Sequence, residues 1–139
     1  MIDLWRKKRM IRSTGVPLTL IDLMVVVAVI GVVAALAIPL YANAEARDRI
    51  EKAQEDLQML AAAVKAYAAH MGMLPAALTA LTSTATNRLN WSAGPFMPSV
   101  PRPPSGGAPA WSAAYTYTSS TAGTFSLTAS GDGTTITVP

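Results

Sequence analysis

Side chains that could do acid–base, nucleophilic or metal chemistry are few in this sequence. It has one histidine, His70, and no cysteine, and most acidic residues fall in one charged stretch between positions 45 and 56. Nucleophilic catalysis needs a nucleophile beside an oriented base, and no such set is present. A Gly-rich phosphate loop followed by lysine is also absent. The sequence therefore predicts that the chain is not an enzyme.

Asp132 is the one acidic residue in the second half of the chain, within Ser130-Gly131-Asp132-Gly133. Calcium normally takes six to eight oxygen ligands, whereas this segment offers a single carboxylate. An aspartate in a turn between two strands is the favoured interpretation. We expect no cofactor and no metal, with calcium at Asp132 kept as the alternative.

Asp22 lies at the edge of a long apolar run, where a carboxylate is costly unless it is paired. The run, Leu23–Ala44, has 22 residues without a charge. As a helix it would extend about 33 Å, enough to span a bilayer. A core helix of a soluble protein is the alternative for the run, and a headgroup-level carboxylate facing water is the alternative for Asp22.

Basic residues are concentrated before the apolar run. The first seventeen positions hold five of the eleven Lys and Arg residues, namely Arg6, Lys7, Lys8, Arg9 and Arg12. The positive-inside tendency predicts that this end stays in the cytoplasm and that the segment after the run is exported. Because the positive charge is confined to one terminus, a nucleic-acid partner is not expected.

A second helical pattern follows the apolar run. Apolar residues recur at steps of three and four at positions 46, 50, 53, 57, 60, 64, 67 and 71, with charged residues off this stripe in the early turns. Gly72 and Pro75 end the pattern. The predicted organisation is a basic leader at 1–17, a membrane or filament-core helix at 18–44, and an exported domain at 45–139.

The exported domain changes character after its helix. A short helix is predicted at 75–81, and the Pro- and Gly-rich segment 82–110 is predicted to be a loop. Three later segments alternate apolar and polar residues like strands; they are 114–119, 124–129 and 134–138. We expect Trp91, Phe96 and Met97 to pin the loop to the domain.

One apolar sheet face needs a partner, and helix 45–71 is the long amphipathic element available. The predicted fold class is therefore α+β, with a long N-terminal helix packed on a small C-terminal antiparallel sheet.

The chain resembles the type IV pilin superfamily, most closely the major pseudopilin of type II secretion systems. The resemblance is carried by TLIDLMVVV at 19–27, AALAIP at 34–39 with Tyr41, and the charged helix start ARDRIEKAQEDL. It implies insertion in the inner membrane with a periplasmic C-terminal domain, trimming by a prepilin peptidase, and methylation of the new N terminus. It also implies that an inner-membrane platform and an ATPase assemble the chain into a homo-oligomeric helical filament.

The resemblance assigns processing to the segment before the helix. The family usually has glycine before the cleaved bond and phenylalanine after it, whereas this sequence has Pro17 and Leu18. Proline fixes φ and has no amide hydrogen, so the departure bears on cleavage. Gly15 could mark a shifted site, or the leader could be retained.

The resemblance also assigns assembly roles. Asp22 takes the place of an acidic residue, almost always glutamate, whose family partner is the free N terminus of a neighbouring subunit. Gly31 and Pro39 bracket a stretch of weakened helix, where family helices melt in the filament. A simple membrane-helix kink is the alternative.

Two other functions stay open at this point. One is a DNA-uptake or adhesive type IV pilin, in which Arg88, Trp91 and Arg102 combine stacking with phosphate contact. The other is a single-span membrane protein that never polymerises.

Overall fold

The computed structural model describes Gly15 and residues 17–139. The leader positions 1–14 and 16, with the basic cluster at 6–12, lie outside the described residues. In chain order the elements are α1 (Leu20–Met71), a short 3₁₀ helix (Leu78–Thr82), β1 (Ala85–Thr86), β2 (Ser92–Ala93), β3 (Thr116–Ser119), β4 (Phe125–Gly131) and β5 (Thr134–Val138). The α+β prediction is confirmed.

Helix α1 runs without interruption for 52 residues and contains Pro39. It begins at Leu20, two residues later than predicted. The chain divides into two compact units, Met1–Pro39 and Leu40–Pro139. The boundary falls at Pro39, which has no amide hydrogen for a helical hydrogen bond.

The first unit exposes an apolar helix. The large apolar side chains of α1 from Leu20 to Leu40 are between 51% and 82% exposed. α1 is long and apolar enough to cross a membrane by length and composition, and its most apolar window has no buried residue. No described residue of this unit covers the apolar helix.

The second unit is built on the predicted apolar stripe of α1. Ala53, Leu57, Leu60 and Val64 on that stripe are fully buried. Around them is a core completed by residues from the later elements: Leu81, Trp111, Tyr115, Leu127 and Ala129. The stripe thus covers the domain's own core, as its period predicts.

β3, β4 and β5 form an antiparallel sheet in sequence order. Tyr117 pairs with Leu127 and Ala129 pairs with Ile136, so the predicted apolar faces coincide. β4 extends to Gly131, two residues beyond the prediction, because a two-residue turn follows directly. Asp132 and Gly133 have φ of 48° and 72°, the positive values that a type I′ hairpin turn requires.

The predicted loop 82–110 is wrong in part, because it contains a two-stranded ribbon. Ala85 pairs with Ala93 and Thr86 pairs with Ser92. The two strands are only two residues each, too short for a period to be read from the sequence. The short helix predicted at 75–81 is a 3₁₀ helix three residues later in its start, at Leu78.

Asp56 corrects the expectation that the charges of early α1 lie off the buried stripe. Its side chain is fully buried in the core. Lys52, one turn earlier, forms an ion pair with it, and the Tyr115 hydroxyl donates to Asp56 Oδ2 at 2.8 Å. Burial, together with the bond to Asp56, raises the pKa of Tyr115. This contact joins α1 to the segment that leads into β3.

Replacing Tyr115 by phenylalanine is expected to destabilise the second unit by about 1–3 kcal/mol, because a buried carboxylate loses a donor and keeps its desolvation cost. Urea unfolding of the detergent-solubilised chain, followed by tyrosine and tryptophan fluorescence, measures the change. Tyr67→Phe is the matched control, since no hydrogen bond to the Tyr67 hydroxyl is found in the described chain. Equal effects of the two substitutions would contradict this assignment.

Candidate functional site

Asp22 and Thr19 form a reciprocal cap at the start of α1. The Thr19 amide and hydroxyl donate to Asp22 Oδ2 at 2.9 and 2.8 Å, and the Asp22 amide donates to Thr19 Oγ1 at 3.3 Å. Thr19 precedes the first helical residue, so Asp22 is the third residue of the helix. This is a capping box, which satisfies two amides that the helix itself cannot.

The cap gives Asp22 a role that sequence reasoning missed. The signal was present as threonine followed three residues later by an acid, directly before an apolar run. Both hydrogen bonds that the Asp22 carboxylate accepts go to Oδ2. Within the described residues no hydrogen bond to Oδ1 is found. The carboxylate therefore orders the helix start and keeps one oxygen for another partner.

The remaining residues assigned to processing and assembly lie in exposed positions. Pro17 and Leu18 are exposed and precede the helix, and Gly15 has no neighbour within 4 Å of a side chain placed on it. Gly31 and Pro39 are both inside α1, which stays helical through them. The structure brings Asp22 to Thr19 and does not bring it to Gly31 or Pro39.

Asp132 is the centre of a hydrogen-bonded cluster that sequence reasoning did not foresee. Arg49 on α1 donates from Nε to Oδ2 at 2.7 Å and from Nη2 to Oδ1 at 3.1 Å. Trp111 Nε1 donates to Oδ2 at 2.8 Å, and the Ala108 amide donates to Oδ1 at 3.2 Å. Four donors thus fill the lone-pair positions of one carboxylate.

The β4–β5 turn makes further contacts with the segment 108–111. The Asp132 amide donates to the Pro109 carbonyl at 2.8 Å. Trp111 packs its ring against Gly131, where a Cβ atom would overlap the indole. Gly131 is therefore needed for this close approach. Together these contacts hold α1, the segment around 108–111 and the turn in one position.

Asp132 lies in the β4–β5 turn, and the donor set around it does not fit calcium. Calcium takes oxygen ligands, whereas the neighbours of Asp132 are N–H donors and one of them is the Arg49 guanidinium. In the part of the chain that the structure describes, no three His, Asp or Glu residues lie together as a metal site. Arg49 supplies the positive charge at this position.

Arg49 and Trp111 hold the pKa of Asp132 at about 2, through the bonds from the guanidinium first and the indole second. The carboxyl is 7% exposed. Because the folded pKa is below the ordinary value near 4, this group stabilises the fold above about pH 4. That stabilisation is lost as the pH falls towards 2.

The β1–β2 ribbon is fixed to the end of α1. His70 Nε2 donates to the Ala85 carbonyl at 3.1 Å. Asn87 Nδ2 donates to the His70 carbonyl at 3.4 Å, while Asn87 Oδ1 accepts the Leu89 and Trp91 amides, each at 3.0 Å. His70 therefore has a structural role at the helix terminus.

The expected packing role of Trp91 is wrong. Trp91 is 69% exposed at the tip of the ribbon, whereas Phe96 and Met97 pack against the core as predicted. Arg88 is exposed in the same tip, but Arg102 lines a separate groove beside Tyr115. The structure does not gather Arg88, Trp91 and Arg102 into one nucleic-acid surface.

Asp132→Asn is expected to lower the midpoint of thermal unfolding by about 5 °C or more at pH 7, because the charged bonds from Arg49 are lost. The gap between wild type and variant should shrink as the pH falls from 4 to 2. Near-UV circular dichroism of the full chain in detergent measures both midpoints.

Chelation of calcium is the control for the same measurement. It should leave the wild-type midpoint unchanged, because Arg49 balances the carboxylate. A fall on chelation that added calcium reverses, or a gap that stays constant down to pH 2, would contradict the assignment.

Comparison with known proteins gives a relative in the fimbrial class. A fimbrial protein of Eikenella corrodens, EcpB, is 42% identical over 55 residues, which is 40% of this chain and 35% of that protein. The chain thus spans about a third of the length of this relative. No solved structure gives a significant match.

A family described as type II secretion system (T2SS), protein G matches residues 41–136. The match begins at Tyr41 and runs almost to the end of β5, so it covers the helix-on-sheet domain with both carboxylate contacts described above. It extends over well more than half of the chain. The chain belongs to the type II secretion system protein G family.

Proposed function

We propose that this pilin-like structural subunit of a type II secretion pseudopilus is stored in the inner membrane by the apolar part of α1. On assembly this segment leaves the lipid and is buried among copies of itself. The observation that carries the proposal is the exposure of every large apolar side chain from Leu20 to Leu40. The N-terminal side is then cytoplasmic and the unit after Pro39 periplasmic, following the basic residues at 6–12.

Exposed apolar surface of this extent has two stable environments. Lipid is one, and contact with other apolar helices is the other. Each removes the segment from water, which stabilises it by roughly 25 cal/mol per Å² of apolar surface buried. Moving between them gives little net hydrophobic gain, because lipid tails are as apolar as leucine. Directional polar contacts and packing must therefore decide register, and Asp22 is the acidic group placed to do so.

The geometry of Asp22 suits both capping of α1 and pairing with a neighbouring copy. Oδ2 is used by Thr19 in the cap, and Oδ1 is available to a cationic group such as the N terminus of a neighbouring copy. Such a pairing would offset the cost of a carboxylate among apolar side chains. Gly31 and Pro39 are proposed to lower the cost of local helix opening when copies pack together.

Processing by a prepilin peptidase is the step that would create the free N terminus. Residues 17–19 are exposed and not helical, so they suit an extended substrate. Cleavage before Leu18 would make Leu18 the new N terminus, with three residues, Thr19, Leu20 and Ile21, between it and Asp22. An inner-membrane platform and ATPase are the proposed partners for extraction from lipid.

A purely structural role also accounts for the few titratable groups. His70 fixes the ribbon, and Asp132 is saturated by four donors. We propose on these grounds that the chain has no enzymatic activity and carries no cofactor.

Asp22→Asn is expected to abolish filaments or reduce them at least about tenfold, because the charge that pairs with a neighbouring copy is lost. Thr19→Ala is the matched variant, since it breaks the cap at a cost of about 1 kcal/mol and keeps the charge. Electron microscopy of cells with the assembly machinery, normalised to membrane-bound subunit, measures filament number.

The charge role predicts many filaments for Thr19→Ala and few for Asp22→Asn. Equal loss in both variants would assign Asp22 to the cap alone. Normal filaments from Asp22→Asn would remove the pairing proposal altogether.

The intact mass of the purified protein is expected to correspond to a start at Leu18, or at Val16 if Gly15 marks the site, with one added methyl group. Mass spectrometry of subunits from wild-type and peptidase-deficient cells makes the comparison. A start at Met1 in both strains would contradict processing and favour a single-span protein that does not polymerise.

A further inference from the structure

The tip of the β1–β2 ribbon presents an apolar projection. Leu89 is 72% exposed and Trp91 is 69% exposed. The tip is held in shape by Asn87, whose backbone amide donates to the Trp91 carbonyl at 2.9 Å and whose side chain accepts two amides. Because these bonds order the backbone of the tip, less backbone freedom is lost on binding. We call Leu89 and Trp91 the apolar tip.

The same unit carries an apolar groove of about 570 Å³. Its floor is one face of α1, and its wall is the segment 96–101. The apolar residues that define it are Met59, Ala62, Ala63, Ala66, Phe96 and Met97. The small alanine side chains leave space above the helix surface. Met59 is 54% exposed. We call this the alanine groove.

Two complementary surfaces on one domain make a heterologous contact. If the apolar tip of one copy enters the alanine groove of another, the first copy keeps a free groove and the second keeps a free tip. Such a contact repeats without closing and generates an open helical assembly. An isologous contact would stop at a dimer. A family whose members assemble into a filament of their own kind requires the first type.

We propose that Leu89 and Trp91 of one subunit dock in the alanine groove of a neighbouring subunit in the filament. The groove volume lies within the range of pockets that enclose a drug-sized ligand, so it can take an indole ring. Docking would cover large exposed apolar side chains of the second unit on both sides of the contact. Tryptophan in a desolvated pocket is a frequent anchor of protein interfaces.

Opposite charges lie beside the two surfaces. Arg88 is exposed directly beside Leu89. Glu55 is exposed on α1 one turn before Met59, and therefore on the same side of the helix as Met59 at the margin of the groove. Lys52 and Asp56 line the groove itself, and their charges are paired with each other. Arg88 is thus expected to meet Glu55 of the neighbouring copy when the tip docks.

The docking contact rests on the proposed filament function, and the test uses the absence of native cysteine. The full chain is made with Leu89→Cys and Ala62→Cys together and oxidised in cells that hold the assembly machinery. A heterologous contact predicts a ladder of disulfide-linked dimers, trimers and longer species on non-reducing gels. Each single variant should give no ladder, and coexpression of the two single variants should give dimers only.

Leu89→Cys with Thr121→Cys is the matched control, because Thr121 is exposed on the β3–β4 turn away from the groove lining. Filaments without a ladder above this control would overturn the docking contact and leave the filament function intact. Loss of filaments from the unmodified chain would contradict both, so the two failures are distinguishable.

Reversing the charge of Arg88 tests the same contact without introduced cysteines. Arg88→Glu should reduce filament number about tenfold through like-charge contact with Glu55. Adding Glu55→Arg to the same chain should restore it. Failure of the double variant to recover, with subunit levels unchanged, would contradict the proposed pairing of Arg88 with Glu55.

Discussion

An apolar helical segment that cannot be left in water is the constraint on which the structure depends. From Leu20 to Leu40 its apolar side chains are exposed, and the described part of its own unit offers no cover. The segment must therefore be in lipid or in contact with other chains. The cap formed by Thr19 and Asp22 orders the start of this helix and keeps the only acidic group of the segment in a fixed place.

The second unit solves a different problem, which is to attach a small sheet to one helix. Its apolar core is modest, and two carboxylates far apart in sequence add directional contacts. Asp56 on α1 accepts from Tyr115, and Arg49 on α1 donates to Asp132 in the β4–β5 turn. Each contact joins the helix to a later element, and each would leave a poorly solvated polar group if broken. The position of the sheet on the helix is thereby specified more sharply than by apolar contact alone.

Much of this architecture follows from local patterns. The step of three and four along α1 identified the buried face, and the alternation in β3, β4 and β5 identified the apolar side of the sheet. Asp56, Arg49 and Trp111 could not be assigned in the same way, because their partners are 59, 83 and 21 residues away. The β1–β2 ribbon was missed because two-residue strands have no detectable period, and Trp91 was misplaced because burial of an aromatic residue depends on that ribbon. The threonine before Asp22 did carry a readable capping signal.

The transfer of the apolar segment from lipid to neighbouring copies is the central claim, and cross-linking within that segment tests it most directly. Pairs of cysteines, one moved through positions 23–26 and one through positions 32–36 of the cysteine-free chain, sample contacts between different positions on neighbouring copies. Oxidation should link copies through particular pairs when the assembly ATPase is active, and through none when it is inactive. Filaments whose subunits never cross-link at any of these positions would contradict the account.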